Sequence, residues 1–373
     1  MSLVGQQANQ FSDFGDAPPF PPEDTRQFDS ERKLGRLFYG TRKNLLRVLY
    51  PFPKSPIIPK PDQVSRLLVV QLERLGDLVL TEPTLRALRF LYPNAERTLV
   101  ANSTAEQLFA GTGWGEIKSR EFLEDSSIEN YDLLVDLTGR VEVKLARKLA
   151  DSGIQHRIGF NRGGRGVFQT VAVPWPEITT QMSQVYFKLA GALGAEENDF
   201  IPSLPHGPDR KERGFVLWES YGVKRPVLLF PGAHFAEQRW AAKNFIKVGA
   251  LLKQNSIEVA VVSGPDEIEL GDQVASALDI PNVKSPSITE LMDLIASSKV
   301  MVVNNTGPLH LACALGVPTV STMGPTIPWR WWPVSTAPSV VFRGGSTTAI
   351  GNIDLIDPVE VSTATLALYD QNE

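Results

Sequence analysis

Two short stretches carry the residue types and spacings that chemistry needs. The first is Asn304-Asn305-Thr306-Gly307-Pro308-Leu309-His310. It follows Val300-Met301-Val302-Val303, which reads as a buried parallel strand, and precedes Leu311-Ala312-Cys313-Ala314-Leu315, which reads as a helix closed by Gly316. A polar glycine turn between a strand end and a helix offers backbone N–H groups and the positive end of the helix dipole, a setting that suits phosphate or pyrophosphate. The same residues would also make an ordinary strand-to-helix turn, which is common in α/β proteins. The second stretch is Leu75-Gly76-Asp77, after a strand and before an apolar helix. A carboxylate there could take a proton from an acceptor hydroxyl, or it could cap the helix. Spacing alone leaves both readings open.

These turns need a scaffold, and the hydrophobic pattern supplies one. From Arg66 onward strand and helix alternate. Leu67 to Gln71, Arg97 to Ala101, Tyr131 to Leu137 and Arg157 to Phe160 read as strands, with helices at Thr81 to Tyr92, about Ala105 to Phe109, Glu142 to Ala150 and Gln181 to Leu193. A stretch rich in Pro, Gly and charge at 202–213 reads as a loop between domains. A second series follows, with strands at Val227 to Phe230, Glu258 to Ser263, Val300 to Val303 and Thr319 to Met323, and helices at Lys243 to Gln254, Glu267 to Leu278 and Ile288 to Ser297. Val359 to Tyr369 reads as a closing helix with Asp357 as N-cap and Pro358 at its first position. Two βα series predict an α/β chain of two doubly wound, Rossmann-like domains, 61–205 and 206–373, facing a central cleft. Pro231-Gly232, Gly264-Pro265, Gly307 and Gly324-Pro325 all fall at strand ends of the second series, where such sheets bind ligands.

Composition narrows the function. The 373 residues are 42% hydrophobic and 21% charged, as in a soluble globular protein. A net charge of −5 argues against a nucleic-acid partner. The single cysteine, Cys313, sits in an apolar helix and reads as a core residue, and a reducing cytoplasm fits. The four histidines, His156, His206, His234 and His310, have no metal-site spacing, so no metal is expected. No secretory signal and no bilayer-spanning run are seen. Residues 1–60 form a tail: a polar, Pro-rich start to about residue 30, then 31–50 with Arg32, Lys33, Arg36, Arg42, Lys43 and Arg47 among leucines, then a Pro-rich linker. The 31–50 stretch reads either as a basic amphipathic helix for an anionic membrane surface or as a helix packed on the protein body.

At this point five ordered segments resemble one family. Arg66 to Leu88 closely resembles the opening of the heptosyltransferases, glycosyltransferase family 9. Tyr131 to Gly139 is similar to the family segment YDLVIDLQG, and Arg157 to Phe160 to RIGF. Phe230 to Ala233 with Arg239-Trp240 resembles its PGA…RWP loop, and Asn304 to Thr326 its NDSGPMHLAAALGTPVVALFGPT block. The resemblance spans about 65–335 and leaves the N-terminal tail outside. It implies a GT-B fold and a metal-independent, inverting transfer of a sugar from a nucleotide-sugar, typically ADP-heptose, to the inner core of lipopolysaccharide. The donor is a substrate, and no cofactor is implied. The work would be cytoplasmic, with peripheral attachment at the inner-membrane face and an anionic glycolipid acceptor as partner.

The resemblance also assigns residues. Asp77 matches the catalytic base. Thr306, Gly307 and His310 would lie near the diphosphate and Asp266 or Glu267 near the ribose hydroxyls, with Gly232 and Asn305 among the donor-binding residues. Donors are needed where charge develops on the leaving diphosphate, and helix N-termini and basic groups supply them. Two positions depart from the family pattern. Gln238 stands where a Lys usually reaches the phosphates, which puts Arg239 and Lys243 forward as substitutes; Asn305 stands where many members have Asp. On the acceptor side, Gly76, Arg140, Lys144, Arg162 and Arg165 are the candidates, the last two in Asn161-Arg162-Gly163-Gly164-Arg165-Gly166, which reads as a flexible basic loop. Trp329, Trp331 and Trp332 would either wall the cleft or pack the core. Two other readings remain: transfer of a different sugar to another surface glycan, and a weakened nucleotide-sugar-binding protein. A dinucleotide-dependent oxidoreductase is disfavoured, because no G-x-G-x-x-G follows either first strand.

Overall fold

The computed structural model describes residues 9–12, 44–46, 48, 58–196, 200–344 and 351–371. The chain divides between residues 200 and 201 into two compact units. The first strand, β1 (Asn9–Ser12), belongs with the second unit.

In the N-terminal unit, β2 (Arg66–Gln71) leads into α1 (Leu75–Leu80) and α2 (Glu82–Leu91). Then come β3 (Glu96–Ala101), β4 (Glu116–Lys118), β5 (Leu133–Asp136), α3 (Val143–Asp151), β6 (His156–Asn161), β7 (Val171–Pro174) and α4 (Met182–Gly191). The six strands run parallel in the order β4-β3-β2-β5-β6-β7. Leu67 to Val70 and Leu133 to Val135 are fully buried, as central strands covered on both faces must be. The chain moves outward from β2 through β3 to β4, then returns to the other side of β2 with β5. The loops after β2 and β5 therefore leave in opposite directions and open a crevice at the C-terminal strand ends.

The second unit repeats this plan. Its elements are α5 (Pro208–Ser220), β8 (Val227–Phe230), α6 (Ala242–Gln254), β9 (Val259–Ser263), α7 (Ile268–Leu278), β10 (Asn282–Lys284), α8 (Ile288–Ser297), β11 (Val300–Asn304), α9 (Gly307–Ala314), β12 (Thr319–Met323), β13 (Ser339–Arg343) and α10 (Pro358–Asp370). Six strands are parallel, in the order β13-β12-β11-β8-β9-β10, and β1 pairs antiparallel with the free edge of β13. The switch point falls between β8 and β11, directly before Gly232 and Thr306. Capping follows the sequence cues: Asp357 accepts from the Val359 N–H at 2.8 Å, and Ser287 with Glu290 forms a capping box on α8.

Several expectations change. The first helix starts at Leu75 rather than Thr81, because Leu78, Val79 and Leu80 are all buried and pull the segment onto the core. Thr81 marks the joint with α2, its hydroxyl donating to the Leu78 carbonyl at 2.6 Å. The presumed loop at 202–213 holds the start of α5. Pro208 opens that helix, and Arg210 and Arg213 both pair with the nearly buried Asp293 on α8. The short strands β4, β7, β10 and β13 were not anticipated; they lack long apolar runs and form by pairing at or near sheet edges. Residues 9–12 of the presumed tail are also paired, since the edge of β13 offers unpaired backbone groups. The rest of residues 1–30, and most of the amphipathic stretch 31–50 and the linker, lie outside the described residues. Of that stretch, Asn44, Leu45, Leu46 and Val48 are helical. Leu46 packs against Ala146, Val167 and Phe168, while Leu45 and Val48 are exposed. Among the described residues no helix is long and apolar enough to cross a membrane.

Candidate active site

The switch point of the N-terminal unit is built around Asp77. It lies in the first turn of α1, two residues beyond a helix start whose N-cap, Arg74, makes no side-chain cap bond. The Asp77 carboxylate accepts a hydrogen bond from the Tyr186 hydroxyl at 2.7 Å. It faces a side chain from α4 that is itself fully buried, and it is not engaged as the helix cap. Burial raises the Asp77 carboxyl from 3.8 to about 6; Glu73 pushes the same way, while the Tyr186 bond and the charges of Arg140 and Arg74 oppose the rise. The outcome is a carboxylate ionised at neutral pH yet far more basic than a surface aspartate, the property a general base needs. Burial beside that carboxylate drives the Tyr186 phenol well above its ordinary value, so Tyr186 remains a donor.

Arg140 reaches the same place from the loop after β5. Its Nε donates to Glu73 at 2.6 Å, and its backbone N–H donates to the other Glu73 oxygen at 3.1 Å. Its side chain is 60% exposed, whereas that of Glu73 is 8% exposed. Arg140 is a candidate on sequence grounds; Glu73 carries no such signal, because it is a buried carboxylate whose partner is 67 residues away. Gly76 sits half-buried in the same turn of α1, and Lys144 is exposed near the start of α3.

The basic loop is not uniformly flexible and basic. Arg165 is 1% exposed and turned inward, which corrects its assignment as an acceptor contact. Its guanidinium pairs with the buried Asp136 and donates to the carbonyls of Thr138 at 2.7 Å and Arg140 at 2.6 Å. A buried cation must be matched in this way, and the match ties the loop after β5 to that after β6. Arg162 stacks on Trp175 at 4.3 Å and donates to the Gly139 carbonyl at 2.7 Å, remaining half-buried. Arg140, Arg162 and Gly139 thus share one rim, and Arg165 is its internal brace.

In the second unit, loops from four adjacent strands converge. Asn304, the buried last residue of β11, accepts from the Trp240 N–H at 3.1 Å and the Thr322 hydroxyl at 2.8 Å. Its amide donates to the carbonyls of Pro231 at 2.8 Å and Gly232 at 3.2 Å. One side chain therefore pins the ends of β8, β11 and β12 together. Gly232 sits close to its neighbours: a Cβ there would come 3.1 Å from the Glu267 carboxyl carbon and 3.2 Å from the Phe230 ring, so any side chain would make one of them give way. Burial raises the Glu267 carboxyl above its usual range, with Arg239 opposing. Asp266, beside it, is exposed.

Gln238 and Arg239 serve this loop first. Gln238 donates to the Thr326 hydroxyl at 3.1 Å, and Arg239 donates from Nε to the Ala233 carbonyl at 2.6 Å while its other end faces Glu267 at 3.7 Å. Lys243 is exposed in the first turn of α6.

The turn after β11 opens α9 at Gly307, with Thr306 extended at the N-cap and no side chain closing the helix end. Asn305 is buried and donates from its amide to the Trp331 carbonyl at 3.2 Å. Asp at this position could not make that bond when ionised, which accounts for Asn here. His310 is 3% exposed, its Nδ1 is buried without a hydrogen-bond partner, and burial lowers its pKa from 6.5 to about 4. It is a neutral imidazole at physiological pH. Trp329 is core, Trp332 is nearly so, and Trp331 lies half-buried with its ring 6.4 Å from that of His310.

Two Rossmann-like units, each with its polar turns at the switch point, define the GT-B class of glycosyltransferases. Residues 126–348 match the model of glycosyltransferase family 9 (heptosyltransferase), and the chain belongs to that family; it is a glycosyltransferase. It is 23% identical to lipooligosaccharide heptosyltransferase 2 of Haemophilus influenzae over 310 residues, covering 74% of this chain and 88% of the relative. It is 25% identical to lipopolysaccharide heptosyltransferase 2 of Escherichia coli over 293 residues, covering 70% and 84%. Among solved structures it resembles the Escherichia coli ADP-heptose lps heptosyltransferase II, with a TM-score of 0.71 at 22% identity, covering 82% of this chain and 99% of the other.

Proposed function

We propose that this glycosyltransferase moves heptose from ADP-heptose, with inversion and without a metal ion, onto a lipopolysaccharide-core or related glycolipid acceptor. The transfer takes place at the cytoplasmic face of the membrane. The observation that carries the reading is Asp77: a carboxylate at the N-terminal switch point, hydrogen-bonded to buried Tyr186 and raised to about 6 by burial. The names of the heptosyltransferase relatives support the choice of donor and acceptor.

In this mechanism Asp77 takes the proton of an acceptor hydroxyl. The hydroxyl oxygen attacks the anomeric carbon from the face opposite the leaving group, and the bond from that carbon to the diphosphate oxygen breaks. Negative charge grows on the departing ADP. The N–H groups at the start of α9, the neutral His310 and Lys243 are the donors for that charge, as electrostatic stabilisation requires. Glu267 and Asp266 receive the ribose hydroxyls. Arg140, Arg162 and Lys144 hold anionic groups of the acceptor.

Asp77→Asn is expected to abolish transfer while nucleotide binding persists; transfer at the parent rate would overturn the assignment of the base. For the donor, a thermal-shift series with ADP-, GDP-, UDP- and CDP-sugars is expected to show stabilisation by the ADP-sugar, since a ligand that binds only the folded state raises its melting temperature. A larger shift with another nucleotide would overturn ADP-heptose. Undiminished transfer in EDTA checks the metal-free mechanism.

A further inference from the structure

Glu73 has no part in the proposed transfer itself, yet it is the buried group that links the acceptor rim to the base. It precedes Asp77 by one helical turn's worth of chain and lies in the short connection between β2 and α1. Asn102 donates to its carbonyl at 2.8 Å, and its own N–H donates to the Gln71 side chain at 3.2 Å, so the backbone is fixed from both sides. Both carboxylate oxygens are spent on Arg140, one on the backbone N–H and one on Nε. The two ends of this ion pair differ in kind. The carboxylate is buried, whereas the guanidinium is mostly exposed and sits on a long flexible stem. An incoming anion can draw the arginine away; nothing comparable can move the glutamate.

We propose that Glu73 is a positioning residue that couples acceptor binding to the base: an anionic acceptor group that engages Arg140 leaves the Glu73 carboxylate unneutralised beside Asp77 and makes Asp77 more basic. The inference rests on reading Asp77 as the base and Arg140 as an acceptor contact. The charged and titratable groups facing Asp77 are Glu73, Arg74, Arg140 and Tyr186. Glu73 raises the carboxyl and Arg140 lowers it, so drawing Arg140 onto the acceptor acts in one direction only. The free enzyme then keeps Asp77 ionised, and its full basicity develops once the acceptor is in place. A general base works best when its pKa approaches the working pH.

The test is a comparison of pH profiles for transfer to a phosphorylated acceptor. The acidic limb of kcat/KM for the acceptor reports the free enzyme and that of kcat the bound complex. In the parent the kcat limb is expected to lie above the kcat/KM limb by about one pH unit. In Glu73→Gln the carboxylate that acceptor binding would expose is gone, and Arg140, no longer held by an ion pair, loses its fixed place near Asp77, so the two limbs should come together at lower pH. In Arg140→Gln they should come together at higher pH, because the free enzyme already lacks the neutralising charge. A purely structural role for Glu73 would lower activity without moving the limbs in opposite directions.

Coincident limbs in the parent, or a parent-sized gap surviving in Glu73→Gln, would overturn the coupling. Should Glu73→Gln fail to fold, shown by its melting curve, the Arg140→Gln profile decides alone. Loss of the base reading is separate: it would show as transfer persisting in Asp77→Asn, whatever the gap.

Discussion

Replacing Asp77 with Asn should make the protein more stable, and by an amount that depends on pH. The carboxyl rises from 3.8 to about 6 on folding, chiefly through burial. A group with a raised folded value binds more protons folded than unfolded within that window. Its favourable contribution is complete below about pH 4 and is lost as pH rises through about 6. A rise of about two units at about 1.4 kcal/mol each sets a ceiling near 3 kcal/mol, and partial exposure of Asp77 reduces it to about 2. Asn keeps an oxygen for the Tyr186 hydroxyl and does not titrate. Urea unfolding at pH 4, 6 and 8 should therefore give a stability difference that is near zero at pH 4, grows at pH 6 and reaches about 2 kcal/mol at pH 8 in favour of the variant. For a unit of this size that is a melting shift of about 4 to 8 °C. A difference that does not vary with pH, or a variant that loses ground as pH rises, would show that the carboxylate is well solvated and would remove the physical basis for its role as a tuned base.

Three further outcomes follow from the packing. Arg165→Met should cost about 3 to 5 kcal/mol in urea unfolding, because Asp136 would be left as a buried, unmatched charge, and adding Asp136→Leu should recover much of it. Asn305→Asp replaces the amide that donates to the Trp331 carbonyl and should lower stability by about 2 kcal/mol; calorimetry with ADP should also show weaker binding, as the turn before α9 shifts. Gly214→Ala would place a Cβ 2.0 Å from the Asp293 carbonyl oxygen, so α5 must move off α8, at a cost of about 3 kcal/mol in the melting of the second unit without effect on Asp77.

Much of the scaffold was legible. The apolar runs that became β2, β5, β8, β9, β11 and β12 are central parallel strands, and burial on both faces demands such uninterrupted runs. Asp77 and the turn from Asn304 to His310 stood out as candidates because strand ends and helix starts leave local signals, and both do lie at helix starts beyond strand ends. The edge strand β4 and the penultimate strand β13 left none, since their stability comes from pairing with neighbours. Helix α5 was hidden by its Pro, Gly and charge, residues that signal a loop until Asp293 is placed opposite Arg210 and Arg213.

The amino-acid sequence by itself determined the class of fold and the family, and singled out two polar turns as candidates for the proposed chemistry, because all of these are written in residue order and periodicity. Only the tertiary structure decided what each polar side chain does. Tyr186 meets Asp77 across 109 residues of chain, Arg165 reaches Asp136 across 29, and Asn304 joins the ends of three strands. Whether an arginine faces a ligand or a buried aspartate is settled by which neighbours the fold supplies and how much water it removes. Neither quantity is a property of any short stretch of sequence.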